Sequence, residues 1–515
     1  MSTDTARLLA LVLTAACLAG PLRAEAPLSA IDWLSQSLVT PAAQPLTPEP
    51  DVAAEGAAVP ESVTTLILGQ TSLDGVGILP PRITGLPRNL WGLGRAQDIE
   101  ALLAVGTPQD LPALQGLLLT VLLAEAEPPA DVVPGESLLL ARIDKLLSIG
   151  ALDQARALLD AAGPAASPEL FRRYFDVSLL IGDEDRACRL LRDAPGLAPA
   201  LPTRIFCLAR AGDFDAAELT LDTARSLGTV SPEDAALLAR FMDPDLDDTD
   251  VAPTLPHPVT PLTMRLFEAI GEPMPGGPLP VAFAYADLSE NSGWKAQIEA
   301  AERLSRAGAI APNLLLGLYT IRKPAASGGV WDRVAAFQKL DQAVTSGDLA
   351  AVDQALPVAW IAMKAAELEV PLAAIFADRL SKLALGPEAV EIAFHISLLS
   401  SDYESLSAAR ATTAPRDVFL AALATGEMAG LAPSDPMSAA ITAAFTNPVI
   451  GDDFATMLEQ KRVGEVILLA MSRIEHATTG DLRGVSEGLS VLRHIGLEDA
   501  ARRTALELML LDRRG

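Results

Sequence analysis

Aromatic residues are scarce in this chain: 13 Phe, 5 Trp and 4 Tyr make up 4% of 515 residues. Sheets draw on aromatic and β-branched side chains. A chain that is 50% hydrophobic, mostly through alanine and leucine, therefore favours helices. Histidine (4) and cysteine (3) are equally sparse, and no His-Glu-x-x-His or Cys/His ligand spacing occurs, so the usual zinc signatures are absent. His257 falls in a proline-rich stretch, while His395, His476 and His494 stand singly on expected helices. Positive charge is short too: 39 Lys and Arg against 66 Asp and Glu leave a net charge of -27. Nucleic acids and anionic lipids both require basic patches, so neither is an expected partner. No apolar run in the body of the chain reaches the ~20 residues of a membrane-spanning helix; the longest, Leu117 to Ala124, is interrupted by Thr120.

What the N-terminus does contain is the pattern of a secretory signal. Arg7 precedes a short apolar core, Leu8 to Ala16, and Leu22-Arg23-Ala24 offers a cleavage site after Ala24. The rival is a lipoprotein acylated on Cys17 after Thr14-Ala15-Ala16. Removal of residues 1–24 takes away two arginines and one aspartate, leaving -28. The expected compartment is the periplasm or the exterior.

A short pattern recurs between Glu136 and Leu227 and again near the C-terminus. An apolar run ends in a glycine, an aspartate follows three residues on, and an alanine two after that. The copies are Gly150/Asp153/Ala155, Gly182/Asp185/Ala187, Gly212/Asp215/Ala217 and Gly496/Asp499/Ala501. Glycine just past a helix takes the left-handed conformation that satisfies the last carbonyls, and aspartate suits the first turn of the next helix. Alanine then lets two antiparallel helices approach, with Leu158, Leu159, Leu190 and Leu191 filling the seam. The first three glycines recur about every thirty residues, the period of stacked helix–turn–helix units. The expected fold is all-α: an α-solenoid of antiparallel helix pairs with a Gly/Pro-rich irregular N-terminal segment. In the second half Gly308, Gly347 and Gly386, thirty-nine apart, hint at longer units.

In length, and in the small residue after the turn, these units resemble tetratricopeptide-type repeats. The aromatic landmarks and closing proline of that family are mostly missing, and the resemblance covers the middle third of the chain. It implies a scaffold that binds peptides or proteins and carries over no active-site residue. The whole chain also looks like a group of exported bacterial proteins, some labelled antifreeze-related, but the Ala-Ala-Thr tandem repeats behind such a label are absent.

Two cysteines remain after the signal, Cys188 and Cys207, roughly equidistant from the turn Pro195–Pro199. An even pair in an oxidising compartment predicts a structural disulfide between consecutive antiparallel helices. The alternative is two buried thiols acting as small hydrophobes.

Taken in order, residues 25–62 hold a short amphipathic segment and a linker of disordered composition. Ile31, Leu34 and Leu38 share a face with Trp33 beside them, a candidate docking helix that either caps the solenoid or reaches a partner. Residues 63–250 combine the irregular segment with the first helical-repeat domain. Gly75-Val76-Gly77 lacks the lysine of a phosphate loop and the third glycine of a dinucleotide fingerprint. Trp91 is expected in the core, or at a binding loop. Asp243, Asp245, Asp247, Asp248 and Asp250 begin like a calcium loop, but Asp248 and Thr254 stand where glycine and glutamate are needed. Residues 251–281 read as a Pro-rich linker, and 282–515 as a C-terminal helical domain. There Arg322, Lys323 and Trp331 mark a basic, glycine-bearing loop as a candidate partner site. Ser292-Gly293-Trp294-Lys295 has the Ser-x-x-Lys form of penicillin-interacting enzymes, but its companion elements are missing downstream.

The function expected is a non-enzymatic scaffold that binds protein partners in a cell-envelope assembly: cell wall, secretion or flagellar motor. No metal and no cofactor is implied. The alternatives are a cell-wall enzyme with an unrecognised site and a periplasmic binder of small ligands, with its pocket near Trp91 or Trp331.

Overall fold

The computed structural model describes residues 72–105, 110–131, 135–243, 258–274, 277–408, 413–476 and 480–511. Among these the protein is all helical, with one isolated bridge, Leu79 to Ala124. The first part comprises α1 (Ala96–Ala104), α2 (Pro112–Leu123), α3 (Ser137–Ser148), α4 (Leu152–Ala162), α5 (Pro168–Ile181), α6 (Glu184–Asp193), α7 (Leu201–Arg210), α8 (Phe214–Leu227), α9 (Pro232–Met242) and α10 (Pro261–Ala269). A 3-10 stretch, Val281–Leu288, leads to α11 (Trp294–Arg306), α12 (Pro312–Thr320), α13 (Val330–Ser346), α14 (Leu349–Lys364), α15 (Glu369–Ser381) and α16 (Pro387–Leu398). The last part is α17 (Tyr403–Ala408), α18 (Pro415–Thr425), α19 (Pro436–Thr446), α20 (Asp452–Glu459), α21 (Val463–Glu475), α22 (Leu482–His494) and α23 (Glu498–Leu510). No described helix is long and apolar enough to cross a membrane.

Consecutive helices pack on one another through most of the chain. The recurring turn explains this locally. Gly150, Gly182, Gly212 and Gly496 have φ of 75°, 79°, 82° and 88°, the left-handed conformation that ends a helix. Ala155, Ala187, Ala217 and Ala501 are fully buried, one small residue at each close helix approach. The thirty-nine-residue spacing marks no such equivalence. Gly308 and Gly347 have positive φ, whereas Gly386 caps the start of α16 with φ -67° and donates its N–H to Asp353 Oδ1 at 2.8 Å.

The stretch expected to be a Pro-rich linker holds structure of its own. Pro261 occupies the first turn of α10, where a missing N–H is harmless, and Thr260 Oγ1 accepts from Thr263 N as cap. Met264, Leu266 and Phe267 are buried, and α10 and the 3-10 stretch both pack on α5. One buried apolar cluster runs from Leu86 to Leu511, so the first and last helices share a core.

The ends of the described chain meet. Helix α1 lies on α21, and α2 lies on α23. Leu93 N donates to Gln460 O at 3.0 Å, and Gly464 N to Leu90 O at 2.8 Å. The Trp91 ring sits directly over Gly464, where a Cβ would overlap it. A Cβ on Gly92 would strike Lys461 O, and one on Gly94 the Glu465 carboxylate. Lys461 itself adopts φ 57°, uncommon outside glycine, in the turn that receives the loop. Nearby, both Glu507 carboxylate oxygens accept from Ala113 N, at 2.8 and 3.0 Å, capping α2 from α23.

Two buried cations on α3 tie it to its neighbours: Arg142 to the irregular segment and α2, Lys145 to the end of α1. Arg142 donates to the carbonyls of Leu122, Val76, Ala124 and Asp74 at 2.8, 2.7, 2.9 and 3.3 Å. Burial pushes its guanidinium down to about 10 against the charge of Asp74. Lys145 Nζ donates to Val105 O at 2.6 Å. Burial pushes that ammonium down to about 8, opposed by Glu475 at the end of α21.

Candidate interaction site

Helices α6 and α7 form a hairpin around the 3-10 turn Pro195–Leu197. Helix α6 turns Ala187 and Leu191 inward and keeps Arg189 and Arg192 on its exposed side. A disulfide joins Cys188 to Cys207 with the Cα atoms 5.1 Å apart. Arg192 lies one helical turn from Cys188, and Arg204 one turn from Cys207, both toward the Pro195 end. The cross-link therefore places the two arginines on opposite rims of one cleft. That cleft, of 370 Å³, is lined by Arg189, Arg192, Arg204 and Arg210, by the single acid Asp185, and by Leu191 and Leu208.

The arginines are not equivalent. Arg210 is bound at the other end of the hairpin, to Asp185 at 2.6 Å and Glu184 at 3.3 Å. Arg189, Arg192 and Arg204 are exposed and make no hydrogen bond or ion pair with any described residue. Residues 184–211 carry five arginines against three acids, a local charge of +2 in a chain of -27. The pairing of Cys188 with Cys207 is legible in the sequence, and Arg189, Arg192 and Arg204 stand within four residues of that pair.

The residues singled out in the sequence fall elsewhere. Ile31, Trp33, Leu34 and Leu38 lie outside the described residues, as does the aspartate run after Asp243. Trp91 is 1% exposed and closes the core against Gly464, so it offers no surface to a partner. Trp331 is half-buried, its ring 5.1 Å from that of Trp294, whose indole N–H donates to Leu318 O at 2.9 Å. Arg322 and Lys323 are exposed, and the Arg322 carbonyl accepts from Gln338 Nε2 at 2.6 Å. Behind them Glu302, 4% exposed, takes Arg333 at 2.8 and 2.6 Å and the Tyr319 hydroxyl at 2.6 Å. Burial and the Glu302 charge drive that phenol far above its usual range. Such a saturated network fixes α11, α12 and α13 to one another, with every strong group engaged.

The groups of the Ser-x-x-Lys stretch each face another neighbour. Ser292 Oγ lies 3.1 Å from Ser289 Oγ, and Lys295 Nζ is 3.4 Å from Glu299. Among the described residues no group of three or more His, Cys, Asp or Glu is placed to hold a metal. The chain matches no described protein family, no curated protein and no solved structure.

Proposed function

We propose that this protein is an exported, non-enzymatic scaffold of tetratricopeptide-like helix pairs that holds a protein partner in an envelope assembly. The observation that carries the reading is the state of the surface. One core already joins the first and last described helices, yet large apolar side chains still point outward. Val358 and Ile361 on α14 are 56% and 68% exposed, one helical turn apart, and Leu219 on α8 is 71% exposed. Outward apolar positions on a rigid helical frame are what a helix-binding partner uses. The N-terminal pattern around Leu8–Ala24 supports export, and the amphipathic segment with Trp33 and Leu34 supplies a second contact.

The test is cross-linking and pull-down from the periplasm of the native host. Wild type, Trp33→Ala/Leu34→Ala and Val358→Asp/Ile361→Asp would be compared. One dominant envelope complex is expected, on a chain that begins at Glu25, weakened in at least one double variant. A complex unchanged in both variants, or no reproducible partner, would overturn the reading.

A further inference from the structure

We infer that the cleft between α6 and α7 recognises a run of consecutive acidic residues in an extended segment of the partner. This rests on the scaffold reading above and names the chemistry of one contact. Arg189, Arg192 and Arg204 are the reason. A guanidinium binds carboxylate through paired N–H donors, and these three have no acidic partner among the described residues.

The spacing favours a peptide over a compact anion. Arg189 and Arg192 are three residues apart on one helix face, so their Cβ atoms lie ~5–6 Å apart. Alternate side chains of an extended strand point the same way at ~6.6 Å intervals. Acids at positions one and three of a run therefore meet Arg189 and Arg192 on the α6 rim. The acid between them points oppositely, toward Arg204 on the α7 rim. The floor suits the remainder of such a ligand: Leu191, 4% exposed, half-buried Leu208 and the disulfide lie beneath the arginines. Glutamate methylenes would cover that apolar strip while the carboxylates reach the rims. At 370 Å³ the cleft falls in the range of small binding sites. The disulfide holds the two rims at fixed separation, so the guanidinium groups are placed before a ligand arrives.

The experiment is fluorescence anisotropy with the full exported chain and a labelled peptide, Leu-Glu-Glu-Glu-Leu, against Leu-Gln-Gln-Gln-Leu. The acidic peptide is expected to bind and the amide peptide not to. Arg192→Glu/Arg204→Glu should weaken binding at least ~10-fold, since each charge-assisted hydrogen bond contributes ~1.5–3 kcal/mol. Both positions are exposed, so circular dichroism should be unchanged. Arg82→Glu/Lys339→Glu, the same charge change at two exposed positions outside the cleft lining, should leave affinity as it was. Three results would each sink the inference: no binding of the acidic peptide, equal binding by the Arg192→Glu/Arg204→Glu variant, or tighter binding of free citrate than of the peptide. If any of them occurs while the periplasmic complex persists, the cleft assignment falls and the scaffold reading stands.

Discussion

The hairpin stack α3–α8 and the clasp between residues 90–94 and 460–465 both depend on glycine, for opposite reasons. In the stack, Gly150, Gly182 and Gly212 are needed for their own backbone, with φ of 75–82°, and nothing lies within 4 Å of a Cβ on Gly212. In the clasp, Gly94 and Gly464 are needed for their neighbours. A side chain on either would overlap Glu465 or Trp91, respectively. The stack is written in residues close in sequence, the clasp in residues some 370 positions apart. Local turns set the direction of each helix pair, but only the long-range fit decides that the ends meet.

The largest expected effect breaks the clasp. Trp91→Ala removes a buried ring from between the first and last helices and should cost about 3–5 kcal/mol in urea unfolding, as aromatic truncations in cores do. A loss below about 1 kcal/mol would mean that the ends are held together without it.

Lys145 tests the same region through pH. Its ammonium is pushed from the ordinary 10.5 down to about 8 in the folded protein. Below pH 8 both folded and unfolded chains carry the proton, and the full cost of the buried charge is present. Between about 8 and 10.5 the folded protein loses the proton first, so the unfolded state binds more protons and stability rises with pH. The stability of wild type relative to Lys145→Met should therefore climb by up to about 3 kcal/mol across that window. Urea titrations of both proteins at several pH values measure it, and a flat difference would refute the burial of the charge.

The smallest effects sharpen the contrast between the two kinds of glycine. Gly464→Ala should cost about 2 kcal/mol by overpacking against Trp91, and Gly182→Ala about 1 kcal/mol through its backbone. The informative measurement is the pair combined with Trp91→Ala. The Gly464 penalty should vanish once the ring is gone, whereas the Gly182 penalty should persist. Equal behaviour of the two would erase the distinction.

Much of the stack was legible because its causes are local. Gly150, Gly182, Gly212 and Gly496 take the conformation expected, and the alanine five residues after each is buried. Composition alone pointed to helices, since alanine and leucine carry the packing. The clasp was not legible: Gly92, Gly94 and Gly464 resemble loop glycines until the surface they meet is known. The 251–281 stretch misled for a related reason, because Pro261 in the first helical turn starts α10 in a segment whose prolines suggest a linker. At the α6–α7 cleft, Cys188 and Cys207 pointed to the cross-link, but the convergence of Arg192 and Arg204 appears only when the two helices are laid side by side.

The meeting of the ends also sets an order of events in time. Trp91 emerges before its seat at Gly464, which is made about 370 residues later. At ~5–20 residues per second that interval is roughly 20 to 75 s. Throughout it the opening helices have neighbours along the chain but no partner at the clasp. A nascent chain can form hairpins and still be unable to lock. The clasp therefore closes only after Gln460 to Glu465 have emerged, and a chain cut short before Lys461 would leave the apolar surface around Trp91 open.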